Sequence, residues 1–231
     1  AAAADGSGAI ATKSLRFNSG DSAHLSKTFG SGGDRNNWTW SGWVKRSALV
    51  SSERQVLFGG YGANSDTGWL EFGFGQNNET DDSVYMTTSA TSQGSTAVFR
   101  DLSAWYHYLA NYDGSNLKVY INNTLVLTKA LTGDRGINGN WLHTIGKSPA
   151  NTIRYFNGYL TDVYFIDGLT LDPSSFGSAD SNGVWQAAAY SGTFGANGFY
   201  LGFGDSSDLG ADDSGNNNDF TANNLQSSDV M

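Results

Sequence analysis

The stretch WYHYLANYDGSNLKVYINNTLV (105–126) sets two ring-rich runs on either side of Asp113-Gly114-Ser115-Asn116. Asp, Gly and Asn tolerate the backbone angles of a tight reversal, so the stretch predicts a β-hairpin. Its arms alternate. Tyr106, Tyr108, Ala110 and Tyr112 fall on one face, with Trp105, His107, Leu109 and Asn111 on the other. On the return arm Leu117, Val119 and Ile121 oppose Lys118, Tyr120 and Asn122. Cross-strand aromatic and β-branched pairs are worth about 0.2–1 kcal/mol each, so the stretch reads as scaffold before chemistry.

The same grammar extends outward. Across 231 residues there are 30 Gly, only 2 Pro, 7 Trp, 11 Tyr and 13 Phe. Turn signals recur about every 8–12 residues, as in a sandwich or barrel. Expected strands are 14–18, 38–46, 55–60, 68–74, 83–88, 105–112, 117–121, 125–129, 142–146, 155–166 and 198–203. Helical turns are expected only around 172–176 and 184–190. AAAADGSGAIATK (1–13) has neither the basic start nor the long apolar run of a secretory leader, and reads as a flexible lead-in. Residues 14–231 suit one domain. An echo between LRFNSGDSAHL (15–25) and LGFGDSSDLG (201–210) places two neighbouring strands near the chain ends. On that reading 198–231 supplies a closing strand and an acidic loop; the alternative is that it opens a second unit.

Charge narrows the partners. Twenty-two acidic against 13 basic side chains give a formal −9, with Lys and Arg scattered one or two at a time. Nucleic acid and anionic membranes are therefore not expected partners. No apolar run approaches the ~18 residues of a membrane-spanning helix. The absence of Cys removes disulfides and thiolate metal sites.

Three further segments carry a resemblance. WTWSGWVKR (38–46), WYHYLANYDGSNLKVYINNT (105–124) and GYLTDVYFIDGLTLDP (158–173) resemble successive signatures of laminin-G-like, concanavalin A-like jelly rolls. Asn122-Asn123 stands where that pattern has Asn-Gly. A closer similarity is to laminin-G-like proteins of tailed bacteriophages, through SLRFNSGDS (14–22), NGVWQAAAYSGTFGANGFYL (182–201) and DSGNNNDFTANNL (213–225). The resemblance implies an all-β fold, an antiparallel two-sheet jelly-roll sandwich. It also implies a component of the virion surface, either capsid decoration or tail fibre. Its partners would be other virion proteins and host-surface or environmental glycans, and a homo-oligomer is left open.

Catalysis finds little support. A retaining glycanase on this fold uses Glu-x-Asp-x-x-Glu, because two carboxyls must stand ~5–5.5 Å apart. The three glutamates are Glu53, Glu71 and Glu79; Glu79-Thr80-Asp81 begins that motif, but Val84 replaces its second Glu. There is no Gly-x-Ser-x-Gly and no His-Glu-x-x-His, and His24, His107 and His143 share no spacing. The chain is therefore read as a non-enzyme.

Two kinds of site remain. Sugars stack on aromatic rings flanked by Asn, Asp and Gly, and Trp69, Tyr61, Trp141 and Tyr155 lie in or beside such loops. Trp38, Trp40, Trp43 and Trp105 lie in strands, where burial is the simpler role. A structural calcium is the one expected cofactor. The resemblance implies Asp162 as its ligand, with carbonyls around Asn18–Asp21 as partners. DSSDLGADDSGNNND (205–219) is a weaker, oxygen-rich candidate. The expected function is a non-catalytic, lectin-like virion surface protein. The alternatives are a purely architectural virion protein and, behind it, a glycan hydrolase.

Overall fold

The computed structural model describes residues 10–49, 53–62, 68–77, 80–131 and 136–231. Sixteen strands, numbered along the chain, form two seven-stranded antiparallel sheets and a small hairpin, with three 3-10 turns and no α-helix among the described residues. One sheet runs β1 (Leu15–Phe17), β12 (Gly158–Asp167), β3 (Asn37–Arg46), β8 (Tyr106–Asp113), β9 (Asn116–Ile121), β10 (Thr124–Ala130), with β15 (Phe199–Leu201) also on β12. The other runs β16 (Thr221–Asn223), β2 (His24–Thr28), β11 (Leu142–Ile145), β4 (Arg54–Tyr61), β5 (Trp69–Asn77), β6 (Thr80–Thr88), β7 (Ser92–Val98). The hairpin pairs β13 (Gly177–Ala179) with β14 (Trp185–Ala187). This is the two-sheet antiparallel sandwich that the resemblance implied.

The hairpin expected over 105–126 is β8–β9, with Tyr112 opposite Leu117 and Tyr108 opposite Ile121. Its alternation decides which rings are core. Tyr106, Tyr108, Ala110 and Tyr112 point between the sheets with Trp38, Trp40, Phe58, Phe72 and Phe165. Trp40 stacks on Phe58 and meets Tyr108 edge-on, 5.9 Å between centroids. At the β9–β10 turn Asn122 and Asn123 have φ of 47° and 68°, so the pair makes the reversal that Asn-Gly makes elsewhere. Close backbone approach selects Gly60 on β4: a Cβ there would stand 1.9 Å from the Gly136 carbonyl oxygen.

Segments near both ends of the described chain join the sandwich. β1 pairs with Gly158–Leu160, and β15 with Val163–Phe165, so the two echoed segments lie end to end along one edge of β12. Phe199, Leu201, Phe203, Leu209 and Phe220 are buried in the main core. The Val184–Tyr190 segment corrects the helical expectation. It carries β14, held by Gly177–Ala179 across the hairpin. Strands β2, β7, β13 and β16 lie outside the strands expected from sequence.

A third layer covers the outer face of the first sheet. Thr39 Oγ1 donates to the Leu169 carbonyl, Asn111 Nδ2 to that of Leu171, and Thr170 Oγ1 to that of Tyr112. This strap presses Phe176 and Tyr190 onto Leu109, Tyr164 and Ile166, a second, smaller core. Where the strap ends, the sheet face stays open.

Candidate functional site

Strand parity brings three tryptophans to that opening. On β3, Trp43 shares the outward face with Thr39 and Ser41, and pairs with His107 of β8 and Thr161 of β12. Trp105 precedes β8 on the His107 side, and Trp185 arrives on β14. With Ile10, Ala11, Thr161, Asp162 and Gln186 they line a cleft of about 310 Å³. All three indoles are half-buried, presenting ring surface while remaining anchored.

His107 fixes the geometry underneath. An indole N–H can only donate, so its 3.0 Å contact from Trp185 Nε1 makes His107 Nδ1 the acceptor. Nε2 therefore carries the proton and donates to Ser41 Oγ at 2.8 Å. The imidazole lies between Trp43 and Trp185, with centroids at 5.4 and 6.0 Å. Burial pulls its pKa down to about 4, so it stays neutral near pH 7 and the Trp185 contact persists.

Asp162 reaches the cleft through a β-bulge. Three steps from Thr161 to Tyr164 on β12 oppose two from Trp43 to Ser41 on β3. Leu160 points inward, so regular alternation would point Asp162 inward too. The extra residue, with Asp162 at φ 47°, turns it outward. Its Oδ1 accepts from the Ala11 N–H and the Tyr200 hydroxyl, each at 2.8 Å. Burial raises its pKa, and the same two hydrogen bonds pull it back in part.

The aromatic residues expected from sequence lie elsewhere. Tyr61 pairs with both Trp69 and Leu142, so Tyr61, Trp69 and Trp141 gather at one end of the second sheet. There Trp141 Nε1 donates to the Gly136 carbonyl at 2.6 Å, and Arg35 covers its ring at 5.4 Å. Tyr155 is not with them. It sits past the opposite end of β11, beside a second cleft of about 380 Å³ that it lines with Arg54, Thr152, Arg154 and Asn157. Lys147 lies over the Tyr155 ring at 5.8 Å, and His24 packs at 6.1 Å. Arg54 and Arg154 there already serve protein groups, Ser92 and the buried Glu71 respectively.

The calcium set is not assembled. Phe17 pairs with Gly158, which puts Asn18 beyond that end of β12, more than ~10 Å along the strand from Asp162. Asn18 and Asp21 close on each other, Nδ2 to Oδ2 at 2.6 Å, and Gly20 N–H donates to Asn18 Oδ1. Asp162 meets an N–H and an O–H instead. Asp212 in the acidic loop likewise accepts from Tyr200, Ser214 and Asn218. Among the described residues no three of His, Asp and Glu stand together as a metal would need.

Of the glutamates, Glu79 lies outside the described residues. Glu71, buried on β5, accepts from Arg154 Nη1 at 2.9 Å and from Ser148 Oγ. Desolvation raises its pKa, and Ser148 and Arg154 oppose that rise.

The family model described as Concanavalin A-like lectin/glucanases superfamily matches residues 17–172. Among solved structures, a putative carbohydrate-binding protein from Bacteroides ovatus aligns over 96% of this chain and 60% of its own, with TM-score 0.59 and 16% identity. The native heptameric SAP-like pentraxin from Limulus polyphemus aligns over 72% of this chain and 79% of its own, with TM-score 0.52 and 16% identity. Domains LG4-5 of the mouse laminin α1 chain align over 79% and 48%, with TM-score 0.50 and 11% identity. These likenesses are of fold. No curated protein matches the chain.

Proposed function

The chain belongs to the concanavalin A-like lectin/glucanases superfamily, and on that premise we propose that it is a non-catalytic, glycan-binding jelly roll displayed at a virion surface. The observation that carries the binding reading is the cleft of Trp43, Trp105 and Trp185 around Asp162. Indole faces offer C–H stacking to a pyranose ring, while Asp162 and Gln186 offer hydrogen-bond partners to its substituents. The bond from Trp185 to His107 holds one platform ring in place before ligand arrives, which lowers the ordering cost of binding. The non-catalytic reading is supported by Glu71, whose two oxygens are both engaged by protein donors.

A glycan array with the full chain tests this. Trp105→Ala and Trp185→Ala should each weaken binding roughly tenfold or more, while Trp69→Ala and Trp141→Ala should leave it intact. Loss confined to Trp69→Ala or Trp141→Ala would move the site to the far end of the second sheet. The virion reading rests on the phage-like stretches at 182–201 and 213–225. Detection of the chain by antibody labelling on intact particles supports it, and its absence from purified particles overturns it.

A further inference from the structure

Asp162 stands apart from the other buried carboxylates. Asp82 is paired with Arg46 and Arg100, and Glu71 with Arg154. Asp167 is satisfied on both oxygens, Oδ1 by Asp34 N–H and Asn138 Nδ2, and Oδ2 by Asn197 N–H. Asp162 is 4% exposed, yet no Lys, Arg or His among the described residues forms an ion pair with it. Both of its donors, Ala11 N–H and Tyr200 O–H, meet Oδ1. Its Oδ2 accepts from no described group, and among the described residues lining the Trp43–Trp105–Trp185 cleft it is the only charged one. Oδ2 keeps contact with solvent, so a ligand can reach it, and a largely buried carboxylate without a counter-charge gains when a cation completes it. The three indoles that line the same cleft add aromatic surface that attracts a cation.

We infer that the cleft selects a sugar bearing a free, protonated amine: the ammonium N–H donates to Asp162 Oδ2 while the pyranose stacks on the indoles. This rests on the glycan-binding reading and names its ligand class. A primary ammonium fits better than a neutral hydroxyl for two reasons. It supplies the missing charge, and a charge-assisted bond is about twice as strong as a neutral one. An N-acetylated sugar has lost that charge, so the cleft should discriminate against it.

Calorimetric titration of the full chain tests this, with a glucosamine disaccharide, its N-acetylated counterpart and choline as probes, at a pH that keeps the amine charged. The expected result is a roughly tenfold or greater preference for the free amine. Asp162→Asn should abolish it while keeping the fold, because an Asn Oδ1 still accepts from Ala11 and Tyr200. Equal binding of both disaccharides, lost in Trp185→Ala, would overturn the charge selection and leave the glycan site standing. A preference that persists in Asp162→Asn would assign it to the general field of a −9 chain and overturn the inference. Binding of choline alone, sensitive to Asp162→Asn, would keep the cation and overturn the sugar as its carrier. No binding of any probe, with the array also blank, would remove both readings.

Discussion

His107 shows how much one buried side chain determines. It faces Trp43, holds Trp185 through Nδ1 and bonds Ser41 through Nε2. Protonation would put a second donor where Trp185 already donates. His143 is held the same way: its Nε2 accepts from Asn138 N–H at 3.0 Å, and its Nδ1 bonds the Trp141 carbonyl. Burial lowers both pKa values to about 4. Between that value and the unfolded ~6.5, the unfolded chain binds more protons than the folded one, so stability is full above pH ~6.5 and falls as pH drops toward 4. Each histidine contributes roughly 3 kcal/mol to that fall. Denaturant midpoints measured from pH 7 to 4 should therefore decline steeply, and His107→Gln should flatten part of the decline.

Elements explain why some of the site was legible in sequence and some was not. The faces of β8 and β9 follow from alternation alone, and they place Trp105 and His107 outside with Tyr106 and Tyr108 inside. The same parity places Trp43 outside on β3. What alternation cannot show is that Trp185, some 80 residues after Trp105, returns to the same face. SNGVWQAAAY looks helical when read locally, and becomes a strand only because Gly177–Ala179 pairs with it. Asp162 was legible as a special residue by resemblance, but its partners were not, because a bulge reverses the direction that period two assigns. SQGSTAV (92–98) was missed as a strand because it is a polar edge with little alternation.

An element-scale test lies at the far end of β3. Arg46, fully buried, bonds Asp82 Oδ1 at 2.7 Å, Gln55 and the Phe99 carbonyl, and its guanidinium packs 5.0 Å from the Phe74 ring centroid. Asp82→Ala leaves that charge unpaired between the sheets and should cost about 3–5 kcal/mol in urea unfolding. Replacing Arg46 and Asp82 together with apolar residues should recover much of the loss.

At the scale of the whole molecule, the family match ends at residue 172, but the fold does not. The strap after it covers the outer face and delivers Trp185. The segment beyond Gly198 buries Phe199, Leu201, Phe203, Leu209 and Phe220. Five such side chains contribute on the order of 10 kcal/mol of transfer free energy, comparable to the entire stability of a domain. A chain cut after Asn197 should therefore lose cooperative unfolding by calorimetry. A sharp transition near that of the intact chain would show that the tail is dispensable.

The candidate site lies in one place, the outer face of the first sheet where Trp43, Trp105 and Trp185 line a cleft with Asp162. A crystal structure of the chain with a bound oligosaccharide tests it most directly. The predicted result is a pyranose ring stacked on those indoles with a polar substituent at Asp162 Oδ2. A sugar seated instead against Tyr61, Trp69 and Trp141, with the cleft on the first sheet empty, would contradict it.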